Sequence, residues 1–135
     1  MKAKSELAIT KWDETKCGQA VNDMVVVRAS VAFVTSGAID GTFEVEYLLH
    51  YTNFDEANPH NSNATYVGFI TFSGSIGGQR GSFVLEDKGD YTPAGPVSEL
   101  KIKPGTGVGG FAGIAGTGRY FAEGEKMVIE IEYSL

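Results

Sequence analysis

Residues 41–52 read GTFEVEYLLHYT and alternate more cleanly than any other stretch of the chain. Phe43, Val45, Tyr47, Leu49 and Tyr51 fall on one face. Thr42, Glu44, Glu46 and His50 fall on the other, with Leu48 the exception. A period of two sends successive side chains to opposite sides of an extended chain, so this is a strand with one dry face and one wet face. Downstream, residues 65–76 and 79–88 flank Gly77-Gly78, a two-residue hairpin turn. Centring on that turn pairs Phe72 with Phe83 and Ile70 with Leu85, and both members of each pair then share a face.

The same reading extends in both directions. Residues 3–12 put Leu7 and Ile9 opposite Lys4, Glu6 and Thr10, and 13–23 is polar and turn-rich. Residues 24–35 (MVVVRASVAFVT) form a strand that is apolar on both faces apart from Arg28 and Ser30. Residues 98–103, 119–122 and 126–133 complete eight strands, the last placing Met127, Ile129, Ile131 and Tyr133 opposite Lys126, Glu130 and Glu132. No segment carries a capped helical stripe. Eight strands with short connections predict one all-β domain over residues 1–135, an eight-stranded antiparallel closed barrel, since closure removes the two exposed sheet edges. The expected interior comprises Phe43, Tyr47, Tyr51, Phe72, Phe83, Phe121, Met127 and Tyr133. A barrel of this strand number is filled by side chains or holds one small ligand.

Composition narrows the partners. The chain has 135 residues, eleven Lys+Arg against seventeen Asp+Glu, and net charge −6. That argues against nucleic acid and against an anionic membrane surface, both of which are bound through clustered cations. One cysteine, Cys17, excludes an internal disulfide and a multi-cysteine zinc site. Residues 1–12 contain no apolar h-region and no run of apolar residues is long enough to span a bilayer, so the expectation is a cytoplasmic protein. The strand at 24–35, apolar on both faces, predicts a covered outer face and hence a homo-oligomer joined there, with Leu48 contributing.

Chemical motifs are few. Gly105-Thr106-Gly107-Val108-Gly109-Gly110 fits G-x-G-x-x-G, but no helix follows to receive a pyrophosphate, so it reads as a tight turn. His50 and His60 are the only histidines. The loop carrying His60, Asp55, Asn58, Asn61 and Asn63 lacks the glycine and glutamate that a calcium loop places at its sixth and twelfth positions. Neither a metal nor any other cofactor is expected. Cys17, beside Lys16, reads as an incidental loop cysteine. The best polar constellation is Arg28, Glu46 and His50, brought near one another if the second and third strands pair. Turned inward, they would supply proton transfer; the greasier Phe43–Tyr51 face argues that they point outward.

The succession Trp12-Asp13-Glu14, Arg28-Ala29-Ser30-Val31, Val45-Glu46-Tyr47-Leu48, Gly77 to Leu85, Pro104-Gly105-Thr106-Gly107 and Gly113 to Gly118 resembles a family of small bacterial proteins known only as a domain of unknown function. The resemblance covers nearly the whole chain. It implies a calycin-like barrel similar to allene oxide cyclase, in which an oxidised fatty acid occupies the lumen, and it supplies no catalytic residues.

Two functions follow as expectations. The first is a barrel holding a small apolar or amphipathic ligand, with Phe43, Tyr47, Tyr51, Phe72 and Phe83 inside and Arg28, Glu46 and His50 as candidate polar contacts. The second is an isomerase or cyclase of the allene oxide cyclase kind. A barrel filled by its own side chains and acting through its oligomer surface is the alternative to both.

Overall fold

The computed structural model describes residues 1–22, 24–53, 57–58 and 61–135. Nine strands run in chain order: β1 (Lys2–Lys16), β2 (Val25–Thr35), β3 (Ile39–Tyr51), β4 (Ala64–Ile76), β5 (Gln79–Thr92), β6 (Gly95–Ile102), β7 (Val108–Gly109), β8 (Ala115–Glu123) and β9 (Lys126–Ser134). Every pairing is antiparallel, and β4–β5 contact closes the order β4-β3-β2-β1-β9-β8-β6-β5 into a barrel. The two-residue β7 lies against β5. The expected eight-stranded closed barrel is what the chain forms, with β7 an unforeseen addition.

Inward residues stack in layers set by the register. One layer is a row of phenylalanines, Phe33, Phe43, Phe72 and Phe83, opposite one another across β2, β3, β4 and β5. Their rings run in contact, with centroids 4.5 Å apart for Phe33–Phe43, 4.7 Å for Phe43–Phe72 and 5.2 Å for Phe72–Phe83. Phe111, from the glycine-rich connection after β6, caps the row edge-on at 5.0 Å from Phe83. The next layer toward that end contains Gly41, Gly74 and Gly81 on adjacent strands. A Cβ on Gly41 would lie 2.8 Å from Gly74 Cα, so the backbones there approach more closely than side chains allow. One end of the barrel is therefore solid.

The other end differs because β1 does. It pairs with β9 only from Lys2 to Leu7, and its remainder pairs with β2 alone. A bulge between Ile9 and Lys11 shifts the register. The alternation flips there, so Leu7 and Ile9 before the bulge, and Trp12 and Glu14 after it, all take lumen-facing positions. The polar run 13–23, expected to be turns, is strand as far as Lys16. β5 likewise runs past Lys88 to Thr92.

One interior expectation is corrected. Phe121 is only half-buried, on the outer face, with the Arg119 guanidinium 4.7 Å from its ring centre. Tyr120 points inward instead, because β8 begins at Ala115 and its alternation puts Gly116, Gly118 and Tyr120 on the lumen side.

Candidate functional site

Above the phenylalanine row, the inward side chains stop filling the barrel. A cavity of about 440 Å³ is walled by Leu7, Val31, Phe33, Leu49 and Met127, by Tyr47, Tyr51, Tyr66, Tyr91 and Tyr120, and by Ile9, Trp12, Glu14 and Pro96. Trp12 and Ile9 are 45% and 53% exposed, which puts them at the mouth, whereas Tyr47, Tyr66 and Tyr120 are buried. The size suits a small molecule.

The inner tyrosines are placed by glycines. Tyr47 on β3 lies opposite Gly68 on β4, which in turn lies opposite Asp87 on β5. With no side chain at Gly68, the Tyr47 ring lies across it and its hydroxyl donates to Asp87 Oδ2 at 2.5 Å, two strands away. A Cβ at Gly68 would meet Tyr47 Cδ1 at 2.7 Å. The device repeats one layer up. Tyr66 on β4 crosses Gly89 on β5, and its hydroxyl lies 2.5 Å from Ser98 Oγ on β6. A Cβ at Gly89 would sit 2.6 Å from that hydroxyl.

Asp87 and Ser98 are fully buried. Burial raises the Asp87 pKa from 3.8 to about 6, against the opposing influence of the Tyr47, Ser98 and Tyr120 hydroxyls. Its second oxygen, Oδ1, is buried without a hydrogen-bond partner. Tyr47 and Tyr120 are held well above the usual phenol range, chiefly by burial and then by neighbouring negative charge, and burial lifts Tyr66 to about 12. These phenols stay protonated.

Proton bookkeeping then gives a relay. The Tyr47 and Tyr120 hydroxyls are 2.5 Å apart. Each has one proton, so when ionised Asp87 accepts from Tyr47, Tyr120 donates to Tyr47 and offers only lone pairs elsewhere. When Asp87 is protonated, the chain can reverse, and Tyr120 then has a proton to offer a ligand. At the mouth, Tyr51 donates to Glu14 Oε1 at 2.5 Å, which joins β3 to the one-sided part of β1.

Tyr47 and Tyr51 of the expected site thus line the cavity, while Phe43, Phe72 and Phe83 are packed solid beneath it. Arg28, Glu46 and His50 stand on the outer face. Arg28 Nε is 3.5 Å from Glu46, both side chains more than half exposed, and the Glu46 carboxylate also accepts from Ser30. His50 pairs across the ladder with Val26, not with Arg28, and lines a shallow outer groove with Lys88 and Glu99. These three therefore face away from the lumen, and the buried carboxyl behind its wall is Asp87.

Asp87, Tyr66, Ser98 and Tyr120 went unforeseen. The signal for the first two was present: Asp87 continues the Phe83–Leu85 face, and Tyr66 continues the Ile70–Phe72 face. The 105–110 glycine run contains a turn and β7, with Thr106 Oγ1 donating to Lys103 O and accepting from Val84 N. Cys17 is exposed. His60 and Asp55 lie outside the described residues. Among the described residues no group of three His, Cys, Asp or Glu is gathered for a metal ion, and no helix is long and apolar enough to cross a membrane.

Fold and cavity together define a closed antiparallel β-barrel with an internal chamber. The model of a family described as protein of unknown function, DUF3224, matches residues 3–133, and the chain belongs to that family. A crystal structure of a DUF3224-family protein of unknown function from Shewanella oneidensis MR-1 superposes with a TM-score of 0.83. That match covers all of this chain and 96% of the other at 21% identity, a likeness of fold. No curated protein matches the chain.

Proposed function

We propose that the barrel is a binding protein for one small apolar or amphipathic molecule, held in the lumen in the calycin manner. The observation that carries this reading is the 440 Å³ cavity itself, apolar in its walls and backed by a buried carboxyl. Interiors close-pack wherever they can, so a chamber of this size above a tightly packed row is a specific departure. Native mass spectrometry of protein from its own host tests it, with a co-purified small molecule as the expected result. Leu49→Trp, which grows into the chamber, should release that molecule without unfolding the barrel. A bare mass, together with a melting temperature that no chemically diverse ligand raises, would overturn the reading.

The Asp87–Tyr47–Tyr120 relay supports a second reading, an isomerase or cyclase in which Tyr120 exchanges a proton with a bound molecule. Turnover that survives Asp87→Asn and Tyr120→Phe would remove it. The outer faces of β2, β3 and β4 carry Val26, Leu48, Val67 and Phe69, between 43% and 56% exposed, which supports self-association through residues 24–35. A monomer mass by light scattering at micromolar concentration would discard that part. An exposed thiol suits a reducing cytoplasm, the compartment we assign.

A further inference from the structure

We infer that the chamber selects molecules with a cationic head, an alkylammonium or similar group seated at the mouth with its tail in the lumen, and discriminates against carboxylates. The inference rests on the lumen-binding reading and specifies its ligand class.

Three observations carry it. First, among the described residues the cavity wall includes Glu14 and no Lys, Arg or His. An anionic head would enter with no countercharge to meet it, and desolvating an unpaired charge is costly. Second, Glu14 accepts a hydrogen bond from Tyr51 and shares the cavity wall with Trp12 and Tyr91. Aromatic faces are negative at their centres, so a wall that combines such rings with a carboxylate favours an ammonium that has shed part of its water. Tyr51 uses Glu14 Oε1, and a carboxylate has further lone pairs to offer. Third, Asp87 lies behind the inner wall with one oxygen unpartnered, and its hydrogen bond from Tyr47 turns the Tyr47 and Tyr120 dipoles so that their oxygens' negative ends face away from the carboxylate. Both ends of the chamber are therefore negative, and the apolar belt between them, Leu7, Val31, Leu49 and Met127, takes a hydrocarbon tail. This preference is opposite to the fatty acid that the resemblance to allene oxide cyclase implies.

The chain has a single tryptophan, and it stands at the mouth, so its fluorescence reports occupancy directly. The experiment titrates the intact protein with decyltrimethylammonium, decanol and decanoate below their micelle concentrations, at neutral pH. The expected order is ammonium, then alcohol, then carboxylate, with roughly tenfold or more between the first and last, about what one cation–π contact with a paired charge supplies. Glu14→Gln should cost the ammonium ~5–10-fold and leave decanol unchanged. Glu46→Gln removes the same charge from the outer face and should leave all three affinities unchanged, which separates the mouth from bulk attraction to an acidic protein.

Decanoate binding as tightly as the ammonium, or a head-group order that Glu14→Gln leaves intact, overturns this inference while lumen binding stands. So does an equal loss of ammonium affinity in Glu46→Gln. No response to any of the three, with calorimetry agreeing, overturns lumen binding itself and this inference with it.

Discussion

The two ends of the barrel are built on one register but from different rings. At the turn end, Phe33, Phe43, Phe72 and Phe83 sit side by side, with centroids at most 5.2 Å apart and no polar atom among them. At the other end, Tyr47 and Tyr66 each lie over a glycine, and each hydroxyl reaches the next strand but one. Phenylalanine on four successive strands fills the lumen. Tyrosine alternating with glycine leaves it partly empty and wires it with hydrogen bonds. Hydrophobic packing specifies the first half, and the obligation of buried hydroxyls to find partners specifies the second.

The largest test of that contrast is Phe72→Ala. It removes the ring that touches Phe43, Phe83 and Phe111, and should cost ~3–5 kcal/mol in chemical denaturation. The loss should vary little with pH, because the rings that Phe72 touches carry no ionisable group.

The tyrosine half should respond to pH. Asp87 has a folded pKa of about 6 against 3.8, so the folded state holds its proton more tightly than the unfolded state. Its contribution is fully present below the unfolded pKa and is lost as pH rises through 6, a difference of ~3 kcal/mol. The unfolding free energy should fall accordingly between about pH 4 and about pH 7, and Asp87→Asn should flatten that part of the curve. An unchanged slope in Asp87→Asn would dissolve the contrast between the two ends.

Gly89→Ala comes next. The added methyl would meet both Val97 O on β6 and the Tyr66 ring, so a loss of ~1–3 kcal/mol is expected, with the Tyr66–Ser98 contact opened. Tyr66 fluorescence or hydrogen exchange at Ser98 would follow the opening. The smallest effect belongs to Tyr51→Phe at the mouth, under about 1 kcal/mol, since its Glu14 partner is exposed. A loss as large as that of Phe72→Ala would mean that β1 is held far more firmly than its one-sided pairing implies.

The barrel was legible because alternation and turn chemistry agree. The Gly77-Gly78 centre pairs Phe72 with Phe83 and Ile70 with Leu85, as the structure has them. The site was less legible for two physical reasons. A buried carboxyl breaks the hydrophobic alternation that marks a strand, so Asp87 resembles the approach to a loop although its register points inward. A glycine gives no sign of which face it occupies, and the Tyr47–Gly68–Asp87 line appears only once three strands are aligned. Short β8 carried too few apolar positions to fix its phase, which is how Phe121 and Tyr120 changed places. The Ile9–Lys11 bulge, invisible in a polar run, brings Trp12 and Glu14 into the chamber wall.

The glycines under the tyrosines also decide which parts of the chamber are open to alteration. Positions 68 and 89 accept no larger residue without dislodging the ring above, so the wired wall can only be kept or dismantled. Val31, Leu49 and Met127 line the chamber without anchoring a tyrosine, and reshaping the vessel for a different cargo would begin there.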